Sequence, residues 1–86
     1  MSSKASGKAN VFSQLVNAEL SLWIERRGLS LRGLQTETGI SRSRLGKTIN
    51  QELAPLNLNE LDTICTALDI SPLDVVQAAE RRLEER

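Results

Sequence analysis

Histidine and tyrosine are absent from this 86-residue chain, and cysteine, tryptophan and phenylalanine occur once each. Without histidine, and with Cys65 alone, there is no residue set for a metal cluster, a Cys/His pair or a Ser/His/Asp triad. No catalytic residue, metal or cofactor is therefore expected, and the chain does not read as an enzyme. A single cysteine also excludes an internal disulfide; Cys65 lies in an apolar helical pattern, where it reads as a small buried hydrophobe. The scarcity of rings leaves the core to Leu, Ile and Val. No apolar run approaches the length that spans a bilayer and no signal-peptide core opens the sequence, so the expected location is cytoplasmic. A chain this short has room for one modest core and hence for one domain.

Net charge is also absent, with 11 basic and 11 acidic residues, but the charges are not evenly spread. Residues 26–47 hold Arg26, Arg27, Arg32, Arg42, Arg44 and Lys47 against Glu37 alone, a local balance of +5. From residue 48 onward three arginines face eight acids, a balance of −5. A neutral chain polarised in this way presents one cationic face, suited to phosphates.

Residues 1–10, MSSKASGKAN, carry too little apolar surface to offset the entropy of ordering them and read as a flexible arm. Residues 11–86 read as one helical domain. Phe12, Val16, Leu20, Trp23, Ile24 and Arg27 recur at helical spacing and predict a helix over 11–27, stopped by Arg26, Arg27 and Gly28. A short second helix follows Ser30 as N-cap and ends near Thr38, with Gly39 after it and Leu31 and Leu34 inward. A third begins after Ser41 and runs to about Asn50, with Leu45 and Ile49 inward and Ile40 anchoring its entry. Pro55 bars continuation. Asn57 and Glu60 open a fourth helix as a capping box, with Leu58, Leu61, Ile64, Cys65 and Leu68 inward. Ser71, Pro72 and Asp74 open a fifth, whose stripe is Leu73, Val76, Ala79 and Leu83. Strand-like alternation is nowhere present, so the expected class is all-α, a compact five-helix domain.

The informative stretch is Leu29 to Asn50, LSLRGLQTETGISRSRLGKTIN. A helix, a glycine turn and a second helix at this spacing form a helix-turn-helix, whose second helix enters the DNA major groove with its first turns against base edges. With Leu45 and Ile49 inward, Arg42, Ser43, Gly46, Lys47 and Asn50 face outward and Arg44 flanks them. That face consists almost entirely of hydrogen-bond donors. Arg42 and Lys47 suit the acceptor edge of guanine, and Ser41, Ser43 and Asn50 suit phosphate or either base type. Arginines in a first helical turn oppose the macrodipole, an arrangement that makes sense when a phosphate-rich partner supplies the anion. Taken alone, Ser-Arg-Ser-Arg would be a solvated basic turn; the glycine turn and the two-helix spacing favour the DNA reading. The arm reads first as a disordered terminus, and the sharper alternative has Lys4 and Lys8 touching the DNA backbone or minor groove.

From about Leu20 to Leu73 the chain resembles the Cro/Xre (lambda-repressor-like) helix-turn-helix family. The likeness is carried by LSLRGLQ at 29–35, GISRSRL at 39–45, Asn50, Pro55 and the LDTICTALDIS run at 61–71. It implies a five-helix DNA-binding fold of phage and bacterial regulators, with Arg42, Ser43 and Lys47 at base-reading positions and Arg32, Ser41, Arg44 and Asn50 at backbone-clamping ones. Three residues depart from the family pattern: Arg32 where Gln is frequent, Ile49 where a glutamate is common, and Gln51 where a glycine is usual. Because one such helix reads only a few base pairs, a homodimer on double-stranded DNA is expected, with Val75, Val76, Ala79 and Leu83 of the last helix as its interface. The leading expectation is a repressor of phage or prophage type, with no small-molecule ligand. The competing one is a protein-interaction module of the same fold, such as an antitoxin or anti-repressor.

Overall fold

The computed structural model describes residues 8–50 and 53–85, and every described element is helical. The elements are α1 (Val11–Arg27), α2 (Leu31–Thr38), α3 (Arg42–Leu45) running directly into a π-helical turn (Gly46–Asn50), α4 (Leu58–Leu68) and α5 (Pro72–Glu84). The all-α, five-helix architecture expected from periodicity is the one observed. Residues 1–7, most of the expected arm and including Lys4, lie outside the described residues, as does Gln51. At the end of that arm Ala9 is buried, and its N–H donates to the Leu53 carbonyl at 3.0 Å. The arm reading therefore stops short of Ala9.

Helix ends fall where the capping residues stand. Asn10 Oδ1 accepts from the Ser13 N–H at 2.9 Å to open α1. The Gly28 N–H donates to Glu25 O at 3.0 Å and the Leu29 N–H to Ile24 O at 3.1 Å, the paired bonds of a left-handed glycine cap. Ser30 Oγ accepts from Gly33 N–H at 3.0 Å to open α2, and Gly39 (φ 78°) closes it by donating to Gln35 O at 2.8 Å. Asn57 and Glu60 form the expected capping box of α4, and Ser71 caps α5 ahead of Pro72.

Leu20, Leu34, Leu45, Ile64, Cys65 and Leu68 are completely buried at the centre, drawn from α1 to α4. Each large aliphatic side chain contributes about 1.5–3 kcal/mol by leaving water. α5 lies along α1, the most extensive helix pairing in the fold, and here the expected register shifts. Val75 and Ala79 are the buried residues of α5, while Leu73 is 62 % exposed and Leu83 only partly covered. The small side chain of Ala79 permits close approach, and Arg82 completes the inward face by pairing with Glu19 of α1 at 2.9 Å. Val75 and Ala79 are thus spent within the chain's own core and are not available to a second copy. Leu58, expected inward, is 83 % exposed because the capping turn at Asn57 points it outward.

Candidate nucleic-acid interface

The turn between α2 and α3 is three residues long, Gly39, Ile40 and Ser41. Gly39 supplies the left-handed residue a chain reversal needs at no steric cost. Thr38 fastens the turn from behind: its Oγ1 donates to Leu34 O at 2.8 Å and accepts from the Ile40 N–H at 3.1 Å. Ile40 packs against the core. Ser41 is then the N-cap of α3, its Oγ accepting from the Arg44 N–H at 3.1 Å.

Leu45 and Ile49 face inward as expected, which leaves Arg42, Ser43, Lys47 and Asn50 exposed. Ser41 is exposed at the cap, and Arg32 is exposed in the first turn of α2. Gly46 is half-buried. Among the described residues neither Arg42 nor Lys47 makes an ion pair, and no acidic residue lies in the first turn of α3. Of the donor-rich face read from the sequence, Arg42, Ser43, Lys47 and Asn50 are thus exposed along α3 and the π turn.

Arg44 is placed differently. Its guanidinium turns toward α4, with Nε to Glu60 Oε2 at 2.8 Å, Nη2 to Glu60 Oε1 at 2.9 Å and Nη2 to the Pro55 carbonyl at 2.9 Å. The pair leaves the Arg44 side chain 35 % and the Glu60 side chain 16 % exposed. The hydrogen bond from Arg44 holds the Glu60 carboxyl below its ordinary range, against a smaller opposing effect of burial. The same bond raises Arg44 further above its already high range.

The helix does not continue as α to Asn50. After Leu45 the backbone widens into the π form. Thr48 is completely buried, and its Oγ1 donates to Arg44 O at 2.9 Å with a longer contact to Leu45 O at 3.4 Å. The Lys47 carbonyl then accepts from Leu53 N–H at 2.8 Å and Ala54 N–H at 3.2 Å, so the chain leaves the recognition segment in a fixed direction.

Asn17 and Glu60 also shape this region and were not among the expected site residues. Asn17 is buried on α1, and its Nδ2 donates to the Ala54 carbonyl at 3.0 Å. Its spacing to Leu20 and Ile24 places it on the inward stripe, a signal present in the sequence. Glu60 was visible as a capping partner, but not as the partner of Arg44 sixteen residues away. Trp23 is flanked by Arg26 and Arg27, whose guanidinium carbons lie 5.4 and 5.9 Å from the ring centroid. These cation–π contacts hold two cations of the basic segment at the C-terminal end of α1.

None of the described helices is long and apolar enough to cross a membrane. No curated protein matches the chain. A family model described as the Cro/C1-type HTH DNA-binding domain matches residues 19–78, taking in the two helices of the motif, the glycine turn between them and the helices that support them. With that match across most of its length, and with the helix-turn-helix geometry that Gly39 and Ser41 build, the chain belongs to the Cro/C1-type helix-turn-helix DNA-binding family.

Proposed function

We propose that this protein is a sequence-specific transcriptional regulator of phage or prophage repressor type, which occludes a promoter by binding operator half-sites through the major groove. The observation that carries this reading is the exposed side of the recognition segment, where Arg42 and Lys47 have no ion-pair partner among the described residues and Ser43 is exposed beside Arg42. In this reading Arg42 and Lys47 donate to guanine O6 and N7, and Ser43 addresses an adjacent base edge. Arg32, Ser41 and Asn50 donate to backbone phosphates and fix the register.

The protein acts as a homodimer on two half-sites about one helical turn apart. The apolar side chains of α5 left for that contact are Leu73 and Leu83, with the half-buried Val76 beside them. Selection of bound duplexes from a random pool tests binding, base preference and half-site spacing together. On the selected site Arg42→Ala and Lys47→Ala each lose about 1–3 kcal/mol and relax base preference. Unchanged binding by both variants refutes the assignment.

A second reading, a protein-interaction module of the same fold, draws support from the exposed Leu58 and Leu73. Stoichiometric co-purification of a protein, together with no salt-dependent retention on DNA, selects it over the first.

A further inference from the structure

We propose that Arg44 is a positioning residue rather than a phosphate clamp, and that Glu60 lowers sequence-independent affinity by holding this one cation of the recognition segment away from the DNA backbone. The inference rests on the DNA-binding reading above.

Arg44 is fixed at both ends. Its N–H closes the Ser41 cap, and its guanidinium engages both carboxylate oxygens of Glu60 as well as the Pro55 carbonyl. A planar fork on a carboxylate is a charge-assisted, orientation-specific contact, and turning it toward a phosphate would give up all three bonds at once. Glu60 cannot follow it outward. Its Oε1 also accepts from the Asn57 N–H at 3.0 Å, while its own N–H donates to Asn57 Oδ1 at 2.7 Å. The carboxylate therefore belongs to the start of α4, and Arg44 ties the first turn of α3 to it.

This arrangement has an electrostatic consequence. Sequence-independent affinity grows with the number of phosphates a protein neutralises, whereas base contacts carry discrimination. With Arg44 neutralised internally, the recognition segment offers Arg42 and Lys47 to DNA. One phosphate's worth of non-specific attraction is withheld, and no base-reading side chain is touched.

The test uses the full chain, the duplex selected above and a scrambled duplex, with binding measured by fluorescence anisotropy across a salt series. Circular dichroism and thermal melts establish that each variant is folded. Glu60→Gln keeps a residue able to complete the capping box but removes the charge. It is expected to steepen the slope of log K against log salt by about one, so that its gain over wild type on the scrambled duplex shrinks about three- to fourfold between 50 and 200 mM salt. Its affinities for the selected and scrambled duplexes rise together, so their ratio is unchanged. Arg44→Gln weakens binding to the selected duplex but leaves the slope unchanged, and the double variant returns to the wild-type slope. A purely structural role would move affinities and melting temperatures without moving slopes in this pattern.

An Arg44→Gln slope flatter by about one, or an unchanged slope for Glu60→Gln, overturns the proposal while leaving the DNA-binding reading intact. Should Arg44→Gln melt near the assay temperature, the Glu60→Gln slope alone decides. Wild-type protein without salt-dependent retention on any duplex overturns both.

Discussion

The Asn17 side-chain amide donates to the Ala54 carbonyl at 3.0 Å, joining the buried face of α1 to the loop through which the chain leaves the recognition segment. The same loop is held by Ala9 at Leu53, by the Lys47 carbonyl and by Arg44 at Pro55. Truncating Asn17 to alanine leaves the Ala54 carbonyl without this donor, which costs about 1–3 kcal/mol. Urea unfolding is expected to show that loss as a lower midpoint at constant m. A loss below about 0.5 kcal/mol would mean that the other three anchors suffice to hold the loop.

Acid should loosen the corner between α3 and α4. The Glu60 carboxyl lies below its ordinary range in the folded protein because Arg44 hydrogen-bonds to its charged form. A depressed carboxylate contributes stability that is complete above its unfolded value, about 4.3, and is lost as pH falls through the folded one. The expected result is a urea midpoint that declines on the acid side of that window, with a shallower decline in Glu60→Gln. Superimposable acid limbs for the two proteins would show that the ion pair contributes nothing to stability.

Cys65 should be inert while the protein is folded. Burial, with a smaller contribution from the nearby Asp62 charge, pushes its thiol up to about 11, so little thiolate exists at neutral pH. Alkylation by iodoacetamide is expected to track global unfolding and to become rapid only in denaturant. Labelling of native protein at the rate of a free thiol would contradict this.

Two left-handed residues predict opposite responses. Gly39 has φ 78°, and a Cβ built there meets no heavy atom within 4 Å, so Gly39→Ala suffers backbone strain alone. That strain, about 1–2 kcal/mol, is partly offset by the reduced entropy of the unfolded chain, for a net loss of about 1 kcal/mol. Asp69 occupies the same region at φ 58°, where the Asp69 N–H bonds to Thr66 O at 3.1 Å and the Ile70 N–H to Cys65 O at 3.0 Å. Asp69→Gly keeps those bonds, relieves the strain and is expected to gain up to about 1 kcal/mol by the same balance. Calorimetric melting temperatures moving in the same direction for both variants would refute the pairing.

Helix boundaries were legible because their determinants are local. Ser30, Ser41, Asn57 and Ser71 each accept from a backbone N–H two or three residues on, as does Asn10, a cap not read from the sequence, and Gly28 and Gly39 stop helices by their own conformation. The exposed face carrying Arg42, Ser43 and Lys47 was legible for a related reason, since Leu45 and Ile49 fix the rotation of one short helix. What escaped the sequence depends on contacts between elements. The partners of Arg44 are Pro55 and Glu60, which no spacing within α3 reveals. The register of α5 was offset because Ala79 belongs equally to the stripe of Leu73, Val76 and Leu83 and to that of Val75 and Arg82. The reach of Arg82 to Glu19 favours the second. The π turn was hidden because nothing in the local pattern of residues 46–50 distinguishes it from a continuing α-helix.

The pairing of α1 with α5 bears on how the molecule is made. Val16, Leu20 and Ile24 belong to the first of the described helices to be synthesised, and the helix that carries Val75 and Ala79 is made after the other four. A nascent chain can wind its local turns at once, but its hydrophobic centre stays open on one flank until synthesis reaches α5. Partly translated chains therefore expose a greasy seam, which closes only once α5 has been made and laid along α1.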